Sequence, residues 1–210
     1  MREGLMLDTI VGFLIGVTGD NAVLMIISLT AAVRAALLPL AVKQARAVRA
    51  REKLAPKLQD LHKRHGRDRE RLARELNALY AEAGTSPFAG IGPALAQAPF
   101  LFLVYQIATH PTALAGHTLF GAPLGHQVAS LVTGFGLFSW PVLVFGVVLV
   151  LLAAVAWYTA RKIEGPKVLR LLPFASVAVA LFTPFAVGLY LLVSTSWTAG
   201  ERAVLATRPL

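Results

Sequence analysis

The sequence predicts an all-α polytopic membrane protein: five transmembrane helices and one cytoplasmic antiparallel helical hairpin. Three observations carry this. No Asp, Glu, Lys or Arg occurs from Ala83 to Ala160, and none from Leu171 to Gly200; uncharged apolar runs of this length are read as membrane spans. Charged residues make up only 15% of the chain, against about 25% in soluble domains. The 43–82 stretch alone is charged and leucine-periodic, which sets one soluble segment between the spans.

Position, rather than the net charge of +9, gives the orientation. Of 20 Lys and Arg, twelve lie between Lys43 and Arg74. Arg161, Lys162, Lys167 and Arg170 cluster later, Arg202 and Arg208 sit in the tail, and only Arg2 and Arg34 remain. By the positive-inside rule the 43–84 segment, the 161–170 loop and the 201–210 tail are cytoplasmic. Residues 110–138 and the N-terminus are then outside. The chain has no cysteine, which excludes disulfides, thiolate metal sites and a cysteine nucleophile.

Residues 1–20 carry an apolar patch at Ile10–Val17, flanked by Glu3, Asp8 and Asp20. A short interfacial helix and a signal anchor both suit this pattern. Asp20 or Asn21 is placed to cap the first span, residues 21–42. Residues 22–42 rise about 31 Å, the thickness of a hydrocarbon core. Arg34 stands inside this span, about 18 Å from its start and 12 Å from its end. A charge at such depth costs roughly 2.5–3.5 kcal/mol or more. Two readings are open: the guanidinium snorkels to the headgroups, or it faces something wet or paired. Thr30, one turn earlier, and Pro39 make this face more polar and less regular than lipid contact requires.

Residues 43–84 repeat leucine at helical spacing, Leu54, Leu58 and Leu61, then Leu72, Leu76 and Leu79. Gly66 suits a helix end and Asp68 an N-cap, so a hairpin with a narrow apolar seam is expected, with Pro56 bending its first arm. Its excess of bases fits a solvated positive-inside loop, anionic lipid, ribosomal RNA or a partner protein. Tyr80 is its one aromatic, which argues against specific nucleic-acid reading. Ser86-Pro87 and Gly90 return the chain to the bilayer within 85–109. Pro93 suits a first helical turn, Pro99 a kink, and Gln97 is free to bond carbonyls near Pro99.

The external loop 110–138 holds His110, His117 and His126, but spacings of seven and nine without a carboxylate fit no metal motif. The third span, 139–160, is aliphatic between Trp140 and Trp157-Tyr158, as interfacial belts would be. Residues 171–183 and 184–200 are two further spans that turn at Thr183-Pro184. Both are short of the usual ~20 residues, so bilayer thinning or tilt is expected. No acid lies within any span, no phosphate loop occurs, and no Ser–His–Asp set or metal cluster is spaced for chemistry. Ion-coupled transport and intramembrane proteolysis lose their usual residues. No enzyme activity and no cofactor are expected. A small channel or transporter, and a scaffold binding lipid or RNA, stay as alternatives.

Read together, these residues resemble the YidC family of membrane protein insertases, within the YidC/Oxa/Alb superfamily. SLTAAVRAALLPLAVKQ is similar to the family's first core span with its arginine. LAPKLQDLHKRHGRDRERLARELNALYAEAGTSPFAG resembles its cytoplasmic hairpin. PALAQAPFLFLVY is similar to its second span and PFAVGLYLLVSTSWT to its last. The resemblance covers roughly residues 5–205. It implies five helices around a hydrophilic groove open to cytoplasm and lipid, which moves short polar tails of nascent membrane proteins and releases their spans sideways. Arg34 matches the groove arginine; Thr30, Gln97 and Tyr190 match positions facing the groove or substrate path. Ser194 and Trp197 join them by their place on the last span.

Implied partners are nascent membrane proteins and the bilayer, with the Sec translocon and the ribosome as further candidates and no specific nucleic acid. The implied location is the cell membrane. The chain departs from the family pattern at Leu191, where a second aromatic is frequent, at Ser86 in place of Asn, and at Ile91 in place of Cys. The lack of a large domain before the core points to a single-membrane bacterium, and the short tail argues against ribosome tethering.

Overall fold

A computed structural model describes residues 16, 21–65, 68–84, 92–109, 114, 116–163 and 167–207. The chain is mostly helical: α1 (Ala22–His65), α2 (Arg69–Glu82), α3 (Gly92–Thr109), α4 (Val128–Phe135), α5 (Trp140–Arg161), α6 (Ala175–Phe182) and α7 (Phe185–Thr207). A 3-10 helix, Lys167–Phe174, precedes α6, and two short strands, β1 (Thr118–Leu119) and β2 (Ala122–Pro123), pair antiparallel. Among the described residues, Ala22–Lys43 and Trp140–Arg161 are long and apolar enough to cross a membrane. The expected interfacial segment 1–20, apart from Gly16, lies outside the described residues, as does the Ser86–Gly90 turn.

The chain divides into two units. The first is residues 1–35 with 99–203. Its α1 begins where Asn21 Oδ1 accepts hydrogen bonds from the amides of Val23 and Leu24, both at 3.1 Å; an Asn cap of this kind supplies an acceptor to otherwise orphaned amides. Ala22, Met25 and Ile26 bury one stripe of α1 in a core with Val104, Ile107 and Ala108 of α3 and Phe185–Tyr190 of α7. On α5 the buried positions are Phe145, Val148, Leu152, Ala156 and Ala160, a 3- and 4-residue rhythm that marks one helix face. The opposite face shows Val147, Val150 and Leu151. A helix apolar on both faces has lipid as its second solvent. At its far end Arg161 lies 3.7 Å over the Trp157 ring and Lys162 lies 5.6 Å from the Tyr158 centroid.

Residues 116–138, read from sequence only as a loop, form a folded cap. Ala122, Leu124 and Leu131 are fully buried. The carbonyls of His126 and Leu124 accept from the amides of Phe185 and Ala186, each at 2.9 Å, so the cap satisfies the first turn of α7. Phe145 stacks on Phe185 at 4.8 Å beneath it. The β1–β2 turn has Phe120 at φ 48° and Gly121 at φ 83°, the two positive angles of a type I′ hairpin. Glycine adopts this freely; phenylalanine does so at a cost of about 1–2 kcal/mol.

The segment before Thr183-Pro184 combines two kinds of helix. The 3-10 stretch rises about 2.0 Å per residue and α6 about 1.5 Å, so Lys167–Phe182 has a contour of about 28 Å. The 3-10 helix begins at Lys167, four residues before the uncharged run that starts at Leu171. Likewise α7 continues past Gly200 to Thr207. Gly188 of α7 lies where an added Cβ would meet Ala180 Cβ at 3.6 Å, a close small-residue contact of the kind that packs membrane helices.

The second unit is residues 36–98 with 204–210. In it α1 continues through both Pro39 and Pro56 to His65. Asp68 caps α2 by accepting from Arg71 N at 3.1 Å. His65 Nε2 lies 3.4 Å from Glu75 Oε2. All six seam leucines are partly buried, and Tyr80 is buried.

Candidate functional site

The polar centre of the first unit is built by α1 and α7. Thr30 and Arg34 are one turn apart on α1. Tyr190, Ser194, Trp197 and Glu201 follow at i, i+4, i+7 and i+11 on α7 and share one face. Arg34 joins the two helices: its Nη2 donates to Ser194 Oγ at 2.6 Å and to the Ser194 carbonyl at 3.0 Å. The same carbonyl accepts from Thr198 Oγ1 at 3.0 Å, so two side chains share this oxygen. Arg34 is half-buried, and its Nε is enclosed with no hydrogen-bond partner among the described residues. Leaving such a donor unsatisfied costs about 1–3 kcal/mol.

The guanidinium is thus paired within the protein, with a neutral partner. Among the described residues no carboxylate lies within ion-pair distance of Arg34. Glu201 Oε2 instead accepts from Trp197 Nε1 at 3.2 Å. The site presents a guanidinium bonded to a hydroxyl and a carbonyl, with one N–H edge uncommitted. Chemically it is suited to an anion, which takes two parallel N–H bonds from a guanidinium fork.

The sequence-derived residues divide by exposure. Thr30 and Tyr190 are each 1% exposed and Ser194 is 2%. The Thr30 hydroxyl donates to the Ile26 carbonyl within its own helix, and the Tyr190 ring packs on Phe100 at 5.4 Å. Arg34 and Trp197 are only partly buried, so the accessible end of the site is theirs. Gln97 lies in α3, but its side chain is outside the described residues. Sequence reasoning missed Glu201, Thr198 and Phe100. Extending the 190–194–197 stripe by one turn reaches Glu201, a signal lost when the last span was ended at Gly200.

Comparison with known proteins gives the family. A family model described as "60Kd inner membrane protein" matches residues 13–209. "Membrane protein insertase YidC" of Streptomyces avermitilis is 31% identical, over 85% of this chain and 50% of that protein. "Membrane protein insertase MisCA" of Bacillus subtilis is 27% identical, over 95% of this chain and 74% of its own length. "Membrane protein insertase YidC" of Mycobacterium leprae is 28% identical, over 77% of this chain and 56% of that protein. The chain thus spans about half the length of the first and third of these curated relatives. The match includes the four stretches on which the resemblance in the sequence rests, in α1, the α1–α2 hairpin, α3 and α7. This chain belongs to the 60Kd inner membrane protein family.

Proposed function

We propose that this protein is a membrane protein insertase and chaperone of the cell membrane, not an enzyme, and that Arg34 receives the acidic tail of its substrate. One observation carries the reading. Arg34 stands in an apolar helix long enough to cross a membrane, hydrogen-bonded to Ser194 and, among the described residues, with no carboxylate in ion-pair distance and no partner for Nε, in a family whose curated relatives are named insertases.

The proposed architecture is five spans, N-terminus outside and C-terminus inside, around a hydrophilic groove lined by Arg34, Thr30, Tyr190, Ser194 and Trp197, with Gln97 assigned by its family match. A short polar tail enters at the partly exposed Arg34–Trp197 end. Its carboxylate competes with Ser194 for the guanidinium. Wetting this part of the bilayer lowers the cost of carrying polar groups through it. The attached apolar span moves sideways into lipid, and its burial there drives the step without a nucleotide. The cap at the Phe185 end keeps the path closed on that side. Residues 43–84 act as the hairpin that recruits substrate and contacts the Sec translocon or ribosome; its twelve bases and half-buried leucine seam support that role.

The test is complementation of an insertase-depleted cell, followed by insertion of a Sec-independent, single-span protein with an acidic tail. Restored insertion supports the proposal. Stable expression in the membrane without restored insertion overturns it.

A further inference from the structure

Beyond the proposed insertion site, we infer that the folded cap at 116–140 is a lipid-interface anchor, with Phe120, Phe135, Leu137, Phe138 and Trp140 seated at the headgroup–acyl boundary. The inner side of this cap is fixed: Leu124 and Leu131 are fully buried, and two cap carbonyls bond the start of α7. Its outer side carries large apolar side chains: Phe138 is 87% exposed, Phe120 77% and Trp140 64%, with Phe135 and Leu137 also exposed. A rigid element presenting such a group of aromatics has an apolar partner.

Three features identify that partner as lipid. Trp140 is the first residue of α5, one of the two helices apolar and long enough to cross a membrane, so the headgroup layer meets the chain at this residue. Tryptophan is concentrated at that depth, ring in the acyl boundary and N–H toward polar groups. No charged residue occurs anywhere from Ala83 to Ala160, so the surface offers an acidic or basic partner no complementary charge and pays no desolvation of ions on entering the interface.

The Phe120 turn is the most specific element. Its left-handed backbone (φ 48°) favours Gly or Asn, yet a phenylalanine stands there with its ring turned outward. Trp140 Nε1 donates to the Phe120 carbonyl at 2.7 Å, tying the strained turn to the start of the membrane helix. The two rings are thereby held at one depth. Strain of this kind persists where the surrounding structure over-determines it and a function uses the side chain.

The natural absence of cysteine makes the test direct. Phe120→Cys and Phe138→Cys, each labelled with an environment-sensitive fluorophore, are reconstituted into phosphatidylglycerol–phosphatidylethanolamine vesicles, with Ser130→Cys on α4 as a polar comparison. Lipids spin-labelled near the headgroup should quench 120 and 138 several-fold more than centrally labelled lipids or aqueous iodide, and should quench 130 weakly. Free quenching by iodide at both 120 and 138 would overturn the assignment. Shielding of both from lipid and iodide alike would also overturn it, and would assign the surface to a protein partner. A second variant guards against misfolding: Phe120→Asn relieves the turn, so stability in detergent should hold or rise while lipid quenching at 138 falls. Loss of detergent stability in that variant would make Phe120 a packing residue and contradict the inference.

Discussion

Replacing Arg34 by Ala should separate folding from function. For folding, the variant loses two hydrogen bonds to Ser194, and a bond to a charged group contributes about 1.5–3 kcal/mol. It also removes a charge whose cost at membrane depth is roughly 2.5–3.5 kcal/mol, together with the unsatisfied Nε. These contributions nearly offset, so the thermal midpoint in detergent should move little. For function, a guanidinium and a carboxylate at about 4 Å attract by about 4 kcal/mol at an effective dielectric near 20. After desolvation, a net of about 1.5–3 kcal/mol remains, equivalent to roughly tenfold to hundredfold in tail capture. The assay is insertion into proteoliposomes of one span bearing either an acidic or a neutral tail. Arg34→Ala should lose that factor for the acidic tail and little for the neutral one. Arg34→Lys, which keeps the charge but not the fork, should fall between. Equal insertion of both tails by wild type and Arg34→Ala would refute the electrostatic reasoning.

Other consequences follow from the same contacts. Ser194→Ala removes one charge-assisted bond and should lower stability by about 1.5–3 kcal/mol, read as a lower thermal midpoint, while acidic-tail insertion is retained because the competing hydroxyl is gone. Gly188→Ala should be tolerated, since its Cβ meets Ala180 at an ordinary 3.6 Å; Gly188→Leu overpacks the α6–α7 contact and should cost about 1–3 kcal/mol, again by thermal unfolding. Asp68→Ala removes the acceptor of the Arg71 amide and should cost about 1 kcal/mol, seen as faster hydrogen exchange confined to the first turn of α2.

Much of the helical pattern is legible because its signals are local. The helix starting at Ala22 begins beside Asn21, whose side chain is a natural acceptor for its first amides. The helix ending at Arg161 stops where the uncharged run stops. Arg34 was recognisable because a charge in an apolar stretch is costly wherever it goes. Its partner was not recognisable: Ser194 is 160 residues away, and nothing local to either residue encodes their meeting. The same holds for the cap. Phe120-Gly121 is a weak turn signal, and the element is defined by tertiary bonds from His126 and Leu124 to α7. The 3-10 winding at Lys167–Phe174 escaped because no local residue pattern distinguishes it from an α-helix, although Pro173 within it marks an irregular stretch. Glu201 escaped because the end of hydrophobicity was taken as the end of the helix, which continues to Thr207.

The most direct measurement of the central claim is site-specific photocrosslinking to a stalled nascent chain with an acidic tail. Probes at Ser194, the α7 residue bonded to Arg34, and at Trp197 one turn on, are set against probes at Val150 and Phe182, which are 69% and 79% exposed on apolar helices. The account predicts that the tail crosslinks to 194 and 197, that the apolar segment crosslinks to lipid-facing positions at later chain lengths, and that Arg34→Ala abolishes the first set while sparing the second. Tail crosslinks distributed equally over all four positions, or unchanged by Arg34→Ala, would contradict it.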